Sequence, residues 1–226
     1  MIKYCNSALV DMHEYKQTLT HNDVEMLKLS IKYPTVNLLH DLHSDYLINS
    51  QIIMSINEFI GYANYLYFQA IEGYNEAMEQ GFLFHAYEAI MEYTITYNNN
   101  CFLSMYNDKY EFTGGAHGST IRSSLTFDIC SGQRLSLEDF FQPGFDYRRL
   151  ILDEITKQAN IKNSQEPQVL FEDYKSLIIK TFDERSFNLS PQGITFYFQQ
   201  YDIAPYSTGI VEFTIPYSTI GWQPQC

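Results

Sequence analysis

A long run of residues with apolar side chains at helical spacing is the feature that most constrains this fold. Intervals of three and four residues separate its apolar members, which are Ile52, Ile56, Phe59, Ala63, Leu66 and Ala70. This spacing places them on one face of an α-helix, which another surface must cover. With Ser44 as the N-cap and Gly81 just beyond the C-terminus, we predict a helix over residues 44–80. Gly61 and Gly73 inside the run weigh against an unbroken helix.

Strand patterns surround this helix. Before it, apolar and polar residues alternate from Leu27 to Tyr33, and Pro34 is expected to end that strand or to place it at a sheet edge. Helical spacing returns in two shorter segments, residues 146–160 and 172–182. Further strands are predicted at residues 85–97, 101–112, 121–129, 193–200 and 209–217.

Runs of strands with segregated helices are typical of the α+β class. We therefore expect antiparallel sheets with one long N-terminal helix and further helices packed on one face. A chain of 226 residues can form one large domain or two small ones. We predict a strand–long helix–strand subdomain at residues 1–99 and an α+β domain at residues 100–226.

The charge of the chain restricts its partners. Lys and Arg number 14 and Asp and Glu number 27, so the formal net charge is −13. Nucleic-acid binding and attachment to anionic membranes both need clustered basic residues, and both are disfavoured. A basic protein partner stays open. No apolar run approaches the length of a membrane span, and residues 1–9 do not have the pattern of an export signal.

Motifs for catalysis, cofactors or metal binding are not found. The sequence contains no Walker loop, no G-x-S-x-G elbow and no H-E-x-x-H motif, so we assign no catalytic residue, cofactor or metal ligand. His40 and His43, with Asp41 and Asp45, could be a fragment of a metal site, but a solvated helix start is the simpler interpretation. Adjacent acidic pairs, at Glu138-Asp139 and Asp183-Glu184, are interpreted as solvated faces.

Four cysteines are too sparse for a scaffold built on disulfides. No C-x-x-C pair occurs among Cys5, Cys101, Cys130 and Cys226, which disfavours zinc-ribbon and thioredoxin-like sites. Cys5 and Cys226 lie near the two chain ends and could pair, and the disulfide status of all four stays open.

Several separate motifs carry a family resemblance. In chain order they are Thr113-Gly114-Gly115-Ala116-His117-Gly118, Leu125-Thr126-Phe127-Asp128, Ser131-Gly132-Gln133, Leu135-Ser136-Leu137-Glu138-Asp139-Phe140-Phe141, Gly193-Ile194-Thr195-Phe196-Tyr197-Phe198, Tyr201-Asp202-Ile203-Ala204-Pro205-Tyr206, Gly209 and Ile215-Pro216-Tyr217. Over about residues 100–220 the chain resembles the RsiV-like extracellular domain family, catalogued as domain of unknown function 3298. Residues 23–100 resemble its N-terminal companion, domain of unknown function 4163. Gly118 departs from the Pro that many members have.

This resemblance implies a non-catalytic recognition module at the bacterial cell surface. One branch of the family recognises host lysozyme, and other members carry the module in front of a peptidoglycan deacetylase domain. The implied partners are a basic protein such as lysozyme, or peptidoglycan fragments. An extracellular or cell-surface location is implied, although the lack of an export signal leaves a cytoplasmic one open.

Two loops are the predicted ligand-binding sites. Their candidate residues are Gly114, Gly115, Ala116, His117 and Ser119 in the first, and Tyr201, Ile203, Pro205 and Tyr206 in the second. His117 could instead pin its loop, and the tyrosine hydroxyls could satisfy backbone groups in a corner. The alternatives are an envelope- or peptidoglycan-modifying enzyme, or an accessory domain of one, and a structural companion of another protein. The enzyme would need a pocket holding His117 or His85 beside a carboxylate.

Overall fold

The computed structural model describes residues 6–38, 42–165 and 169–226 and has the predicted α+β fold. Its strands are β1 Leu9–His21, β2 Val24–Asn37, β3 Tyr87–Asn99, β4 Phe102–Phe112, β5 Ser119–Asp128, β6 Gln133–Arg134, β7 Phe187–Ser190, β8 Gly193–Phe198 and β9 Val211–Pro216. Its α-helices are α1 Leu42–Gln80, α2 Tyr147–Gln165, α3 Tyr174–Thr181 and α4 Tyr217–Ile220. Short 3₁₀ helices occupy Leu137–Phe140 and Tyr206–Thr208.

The long helix α1 is continuous through both of its internal glycines. The six apolar residues that predicted it are all buried, and Gly81, at a φ of +73°, follows its last residue. Its start differs from the prediction, because Ser44 lies inside the helix and is buried rather than capping it. The side chain of Asp45 accepts a hydrogen bond of 2.5 Å from the Leu38 backbone N–H, which ties the start of the helix to the end of β2.

Strands β1 to β6 form one sheet in sequence order. β1 pairs antiparallel with β2, and β2 pairs in parallel with β3 because the long crossover through α1 separates them. A turn with Asn22 and Asp23 at positive φ joins the first two strands. The parallel register ends at Lys32, so Pro34 lies beyond it, paired with Met12 of β1. The missing N–H of Pro34 therefore costs no hydrogen bond to β3.

Strands β7, β8 and β9 form a second, antiparallel sheet. All six residues of β8 are buried, and α2 and α3 contribute Ile151, Ile155, Ala159, Tyr174 and Ile178 to the same core. The backbone of Ile215 on β9 fills the space where a Cβ of Gly193 would stand, so this position needs glycine.

By contacts between residues the chain divides into two compact units. The C-terminal unit contains the described residues up to Ala8, Thr94–Tyr106 and Arg122–Cys226, and the N-terminal unit contains Leu9–Tyr93 and Asn107–Ile121. The predicted boundary between residues 99 and 100 stays a prediction. Within the described ranges, none of the helices has an apolar stretch long enough to cross a membrane.

A disulfide joins Cys101 to Cys226, with an S–S distance of 2.06 Å. The pairing of Cys226 with Cys5 that the sequence left open is therefore wrong, and Cys5 itself lies outside the described residues. Cys130 is disulfide-bonded as well, and the described part of the chain contains no free thiol.

Candidate functional site

The glycine-rich loop at residues 113–118 connects β4 to β5 in the N-terminal unit. Gly114 has a φ of +84°, a torsion that favours glycine. Gly118 is buried where the Tyr110 ring and the Glu111 carbonyl leave no room for a Cβ. His117 is exposed, and its Nδ1 lies 3.0 Å from the Gly118 carbonyl oxygen, a hydrogen bond within the loop. Gly114, Gly115, Ala116 and Ser119 are exposed too.

The tyrosine loop at residues 199–209 belongs to the C-terminal unit and follows β8. The rings of Tyr201 and Tyr206 are 5.9 Å apart and tilted by 33°, and Tyr201 is 56% exposed. Ile203 is fully buried in the core, and its carbonyl accepts a hydrogen bond from the Phe171 N–H. The surface of this loop is therefore the tyrosine pair beside half-buried Pro205, while Ile203 anchors the loop from below.

A cavity of about 290 Å³ lies within the N-terminal unit, and we call it the tyrosine cleft. Helix α1 and strands β4 and β5 supply its lining residues, which are Glu58, Phe59, Tyr62, Lys109, Tyr110, Glu111, Ser119 and Ile121. Ser119 is the one residue of the predicted sites among them. The cleft thus combines aromatic and aliphatic walls with two carboxylates, one ammonium and three hydroxyls.

The polar groups of the tyrosine cleft are partly desolvated. Burial, together with the hydrogen bond from its hydroxyl to the Glu111 carboxylate, raises the pKa of Tyr62 to about 12. Burial also lowers the pKa of Lys109, although the Glu58 carboxylate acts in the opposite direction. Perturbed groups of this kind, gathered in one cavity, are typical of functional sites.

Sequence reasoning missed most of this cleft because its residues come from segments far apart in the chain. One signal was present in β4. Leu103, Met105 and Asn107 are fully buried at alternate positions, and Lys109 and Glu111 continue the same row. Two charged residues that extend a buried face point to a cavity at the end of that face.

A second cavity, of about 450 Å³, lies within the C-terminal unit. It is lined by Ser124, Thr126, Arg134, Leu135, Ser136, Leu137, Glu138, Tyr147, Glu184, Arg185 and Phe187. The Glu184 carboxylate accepts hydrogen bonds from the Tyr147 hydroxyl at 3.0 Å and from Arg148 at 3.3 Å. Arg185 Nη2 lies 2.8 Å from the Asp183 carboxylate. Four of the eight residues that line the tyrosine cleft are aromatic or aliphatic, against four of the eleven that line this cavity. Because ligand pockets are lined mainly by such side chains, the tyrosine cleft is the stronger candidate site.

The predicted enzyme alternative needs a pocket that holds His117 or His85 beside a carboxylate, and these two cavities do not provide it. Neither His85 nor His117 lines either of them. In the part of the chain that the structure describes, no group of three or more His, Cys, Asp or Glu side chains is placed to hold a metal ion. Of the considered metal fragment, His40 and Asp41 lie outside the described residues. Asp139 accepts hydrogen bonds from the backbone N–H and the hydroxyl of Ser136, which gives it a capping role.

Comparison with known families divides the chain in two. Residues 138–218 match the family described as "Protein of unknown function (DUF3298)", and residues 20–120 match the family described as "Deacetylase PdaC". The predicted resemblance to the DUF3298 family is confirmed. The RsiV-like assignment and the companion domain 4163 stay predictions. The tyrosine cleft lies almost wholly within the PdaC match, and the core around the second sheet lies almost wholly within the DUF3298 match.

Two solved structures share the fold along nearly the whole chain. A DUF3298 family member from Bacteroides fragilis NCTC 9343 is 22% identical with a TM-score of 0.70, and the alignment covers 96% of this chain and 93% of that one. A DUF3298 family protein from Pseudomonas aeruginosa PAO1 is 16% identical with a TM-score of 0.63, covering 97% and 95%. No curated protein matches the chain.

Proposed function

We propose that this chain is a non-catalytic recognition module of the bacterial cell envelope that binds a glycan related to peptidoglycan in the tyrosine cleft. The observation that carries the proposal is the composition of that cleft. Its volume is near the lower end of ligand pockets, at about 300 Å³, and it has the usual apolar walls with a few polar groups. Tyr62 and Tyr110 offer ring faces for the apolar face of a sugar, while Glu58, Lys109 and Glu111 offer partners for its polar substituents.

The family resemblance supports an envelope setting. In that family the same module precedes peptidoglycan deacetylase domains, and the match over residues 20–120 has a deacetylase name. A domain that binds a glycan strand would be useful beside a peptidoglycan deacetylase domain. In that setting the chain would contribute recognition of the glycan.

A basic protein such as lysozyme is the second candidate partner. The net charge of −13 favours attraction of a basic protein, and the exposed Tyr201 and Tyr206 rings are suitable contact residues. Binding through this loop should be abolished by the double substitution Pro205→Ala with Tyr206→Ala, with little change in melting temperature. A large loss of stability would instead indicate that the loop has a structural role.

The proposal is tested by titrating the chain with an N-acetylglucosamine disaccharide and with muramyl fragments, using calorimetry. We expect saturable binding that Tyr62→Ala abolishes and that Tyr15→Ala, an exposed tyrosine on β1 of the same unit, leaves unchanged. Absence of binding, or equal loss in both variants, would overturn the proposal.

Two further arms separate the alternatives. Lysozyme binding that persists at about 1 M salt, where the Debye length is about 3 Å, would favour the protein partner. Conversion of the glycan to a new product, followed by NMR, would favour the enzyme.

A further inference from the structure

The outward face of α1 lacks the charges that solvent-facing helices normally have. Between Ser50 and Ile71, Glu58 is the one charged residue in the sequence. Tyr62, Tyr65 and Phe68 are exposed there at 41%, 56% and 63%, and we call these three residues the aromatic face. Large apolar side chains grouped on an exposed surface indicate an interaction site rather than a solvated one.

The aromatic face begins in the tyrosine cleft, because Tyr62 belongs to both. Residues three apart are neighbours on a helix, and the rings of Tyr62 and Tyr65 are stacked with centroids 6.1 Å apart and 29° between their planes. From Tyr62 to Phe68 the helix rises about 9 Å, which is longer than one sugar ring. The row therefore leads from the cleft along the outside of α1.

Gly61 has no packing reason to be glycine. It is exposed in the middle of a helix, where glycine is less stable than alanine, and a Cβ built there would meet nothing within 4 Å. Gly73, in the same helix, differs, because its Cβ would lie 3.0 Å from the Tyr87 hydroxyl oxygen. Gly61 precedes Tyr62 directly and stands one turn before Tyr65. Its missing side chain leaves the helix backbone uncovered beside both rings.

We infer that the aromatic face extends the tyrosine cleft into a track for a linear, uncharged glycan of several sugars, and that Gly61 leaves room for one sugar against the helix backbone. This inference rests on the proposed glycan binding. Ring faces suit the apolar faces of successive sugars, and the exposed side-chain amides of Asn57 and Asn64 suit their hydroxyl and acetamido groups. A basic protein or a polyanion would need charges that this face does not have.

The track is tested by varying the length of the oligosaccharide. We expect neutral N-acetylglucosamine hexasaccharide to bind about tenfold more tightly than the disaccharide in calorimetric titrations, a factor equivalent to about 1.4 kcal/mol. The double substitution Tyr65→Ala with Phe68→Ala should remove this gain and leave the disaccharide affinity unchanged. Tyr46→Ala is the matched control, since Tyr46 is exposed on the same helix but outside the aromatic face.

Gly61 supplies an independent variant. Gly61→Leu should weaken hexasaccharide binding while the melting temperature rises, because leucine favours the helix more than glycine does and a Cβ at this position meets nothing within 4 Å. A variant that binds less but folds more stably separates a role in binding from a role in folding.

The outcomes distinguish this inference from the proposed function. Equal affinity for disaccharide and hexasaccharide would overturn the track and leave glycan binding in the cleft intact. No binding of either would overturn both. Concentration-dependent dimers in light scattering that Tyr65→Ala with Phe68→Ala abolishes would identify a second copy of the chain as the occupant, and would also overturn the track.

Discussion

The guanidinium carbon of Arg122 lies 3.6 Å from the centre of the Tyr106 ring. Arg122 also donates a hydrogen bond to the Glu212 carboxylate, and its side chain is only 9% exposed. The Gln199 side chain completes the arrangement, because it accepts from the Arg122 N–H at 2.9 Å and donates to the Arg122 carbonyl at 2.8 Å. Within the C-terminal unit, this cluster joins β4 and β5 of the larger sheet to β9 of the smaller one and to the residue that follows β8.

Removing the carboxylate partner of Arg122 should destabilise the protein. Glu212→Ala removes a carboxylate with which the buried Arg122 guanidinium pairs. We expect the free energy of unfolding to fall by about 1–3 kcal/mol, and the exposure of Glu212 favours the lower end of this range. Asp153→Ala is the control, since Asp153 pairs with Arg149 at 3.8 Å on the surface and should change stability by less than about 0.5 kcal/mol. Urea denaturation measures both, and equal effects would contradict the prediction.

The glycine-rich loop offers a matched pair of glycines. Gly118→Ala should lower stability by about 2 kcal/mol, because the new Cβ collides with the Tyr110 ring and with the Glu111 backbone. Gly115→Ala should stay within about 0.5 kcal/mol, because its nearest neighbour is the His117 carbonyl oxygen at 4.0 Å. Thermal unfolding followed by circular dichroism checks both. If the two variants melt together, the close packing at Gly118 is not what holds this loop.

The elements that the sequence predicted are those whose local pattern agrees with their burial. Helix α1 was predicted because its apolar stripe repeats over six positions, and Gly81 marked its end through backbone torsion alone. Strand β1 was not predicted, because most of its residues are exposed and alternate in no consistent way. A strand held mainly by its backbone pairing with β2 has little hydrophobic patterning from which it could be predicted.

The candidate site was harder to predict than the fold. The motif-bearing loops were found because glycine and proline constrain the backbone locally. The tyrosine cleft depends on three elements meeting in space, and Tyr62 and Glu111 are 49 residues apart in sequence. Ile203 shows the opposite difficulty. Its place in the tyrosine loop motif predicted a ligand-binding residue, but its side chain lies in the core.

The disulfide between Cys101 and Cys226 should hold the end of the chain in place. It closes a sequence separation of 125 residues, and we expect Cys101→Ser with Cys226→Ser to cost about 2–4 kcal/mol. Trp222, the one tryptophan of the chain, packs edge-on against Phe140 and Phe102. The ring centroids are 4.8 Å apart for Phe140 and 5.3 Å apart for Phe102. Its fluorescence should shift to longer wavelength in the double variant as the tail is released. Urea denaturation measures the loss of stability. If the fluorescence spectrum and the urea midpoint are both unchanged, aromatic packing alone holds the C-terminal tail in place.

Lys109 should be more useful for binding than for folding. Because burial lowers its pKa below the usual 10.5, the unfolded chain binds more protons than the folded one just below that pH, and wild-type stability should rise as pH increases through this window. Lys109→Met removes the cost of the buried ammonium, so it should stabilise the protein at neutral pH by about 0.5 kcal/mol, a small value because solvent screens the half-buried group. This advantage over wild type should shrink towards pH 10.5, and Lys28→Met, at an exposed lysine on β2, is the matched surface control. Urea denaturation across pH measures the difference, and the same variant should lose glycan affinity in calorimetry. A stability change that is constant with pH would mean that burial of the Lys109 charge is not what the substitution relieves.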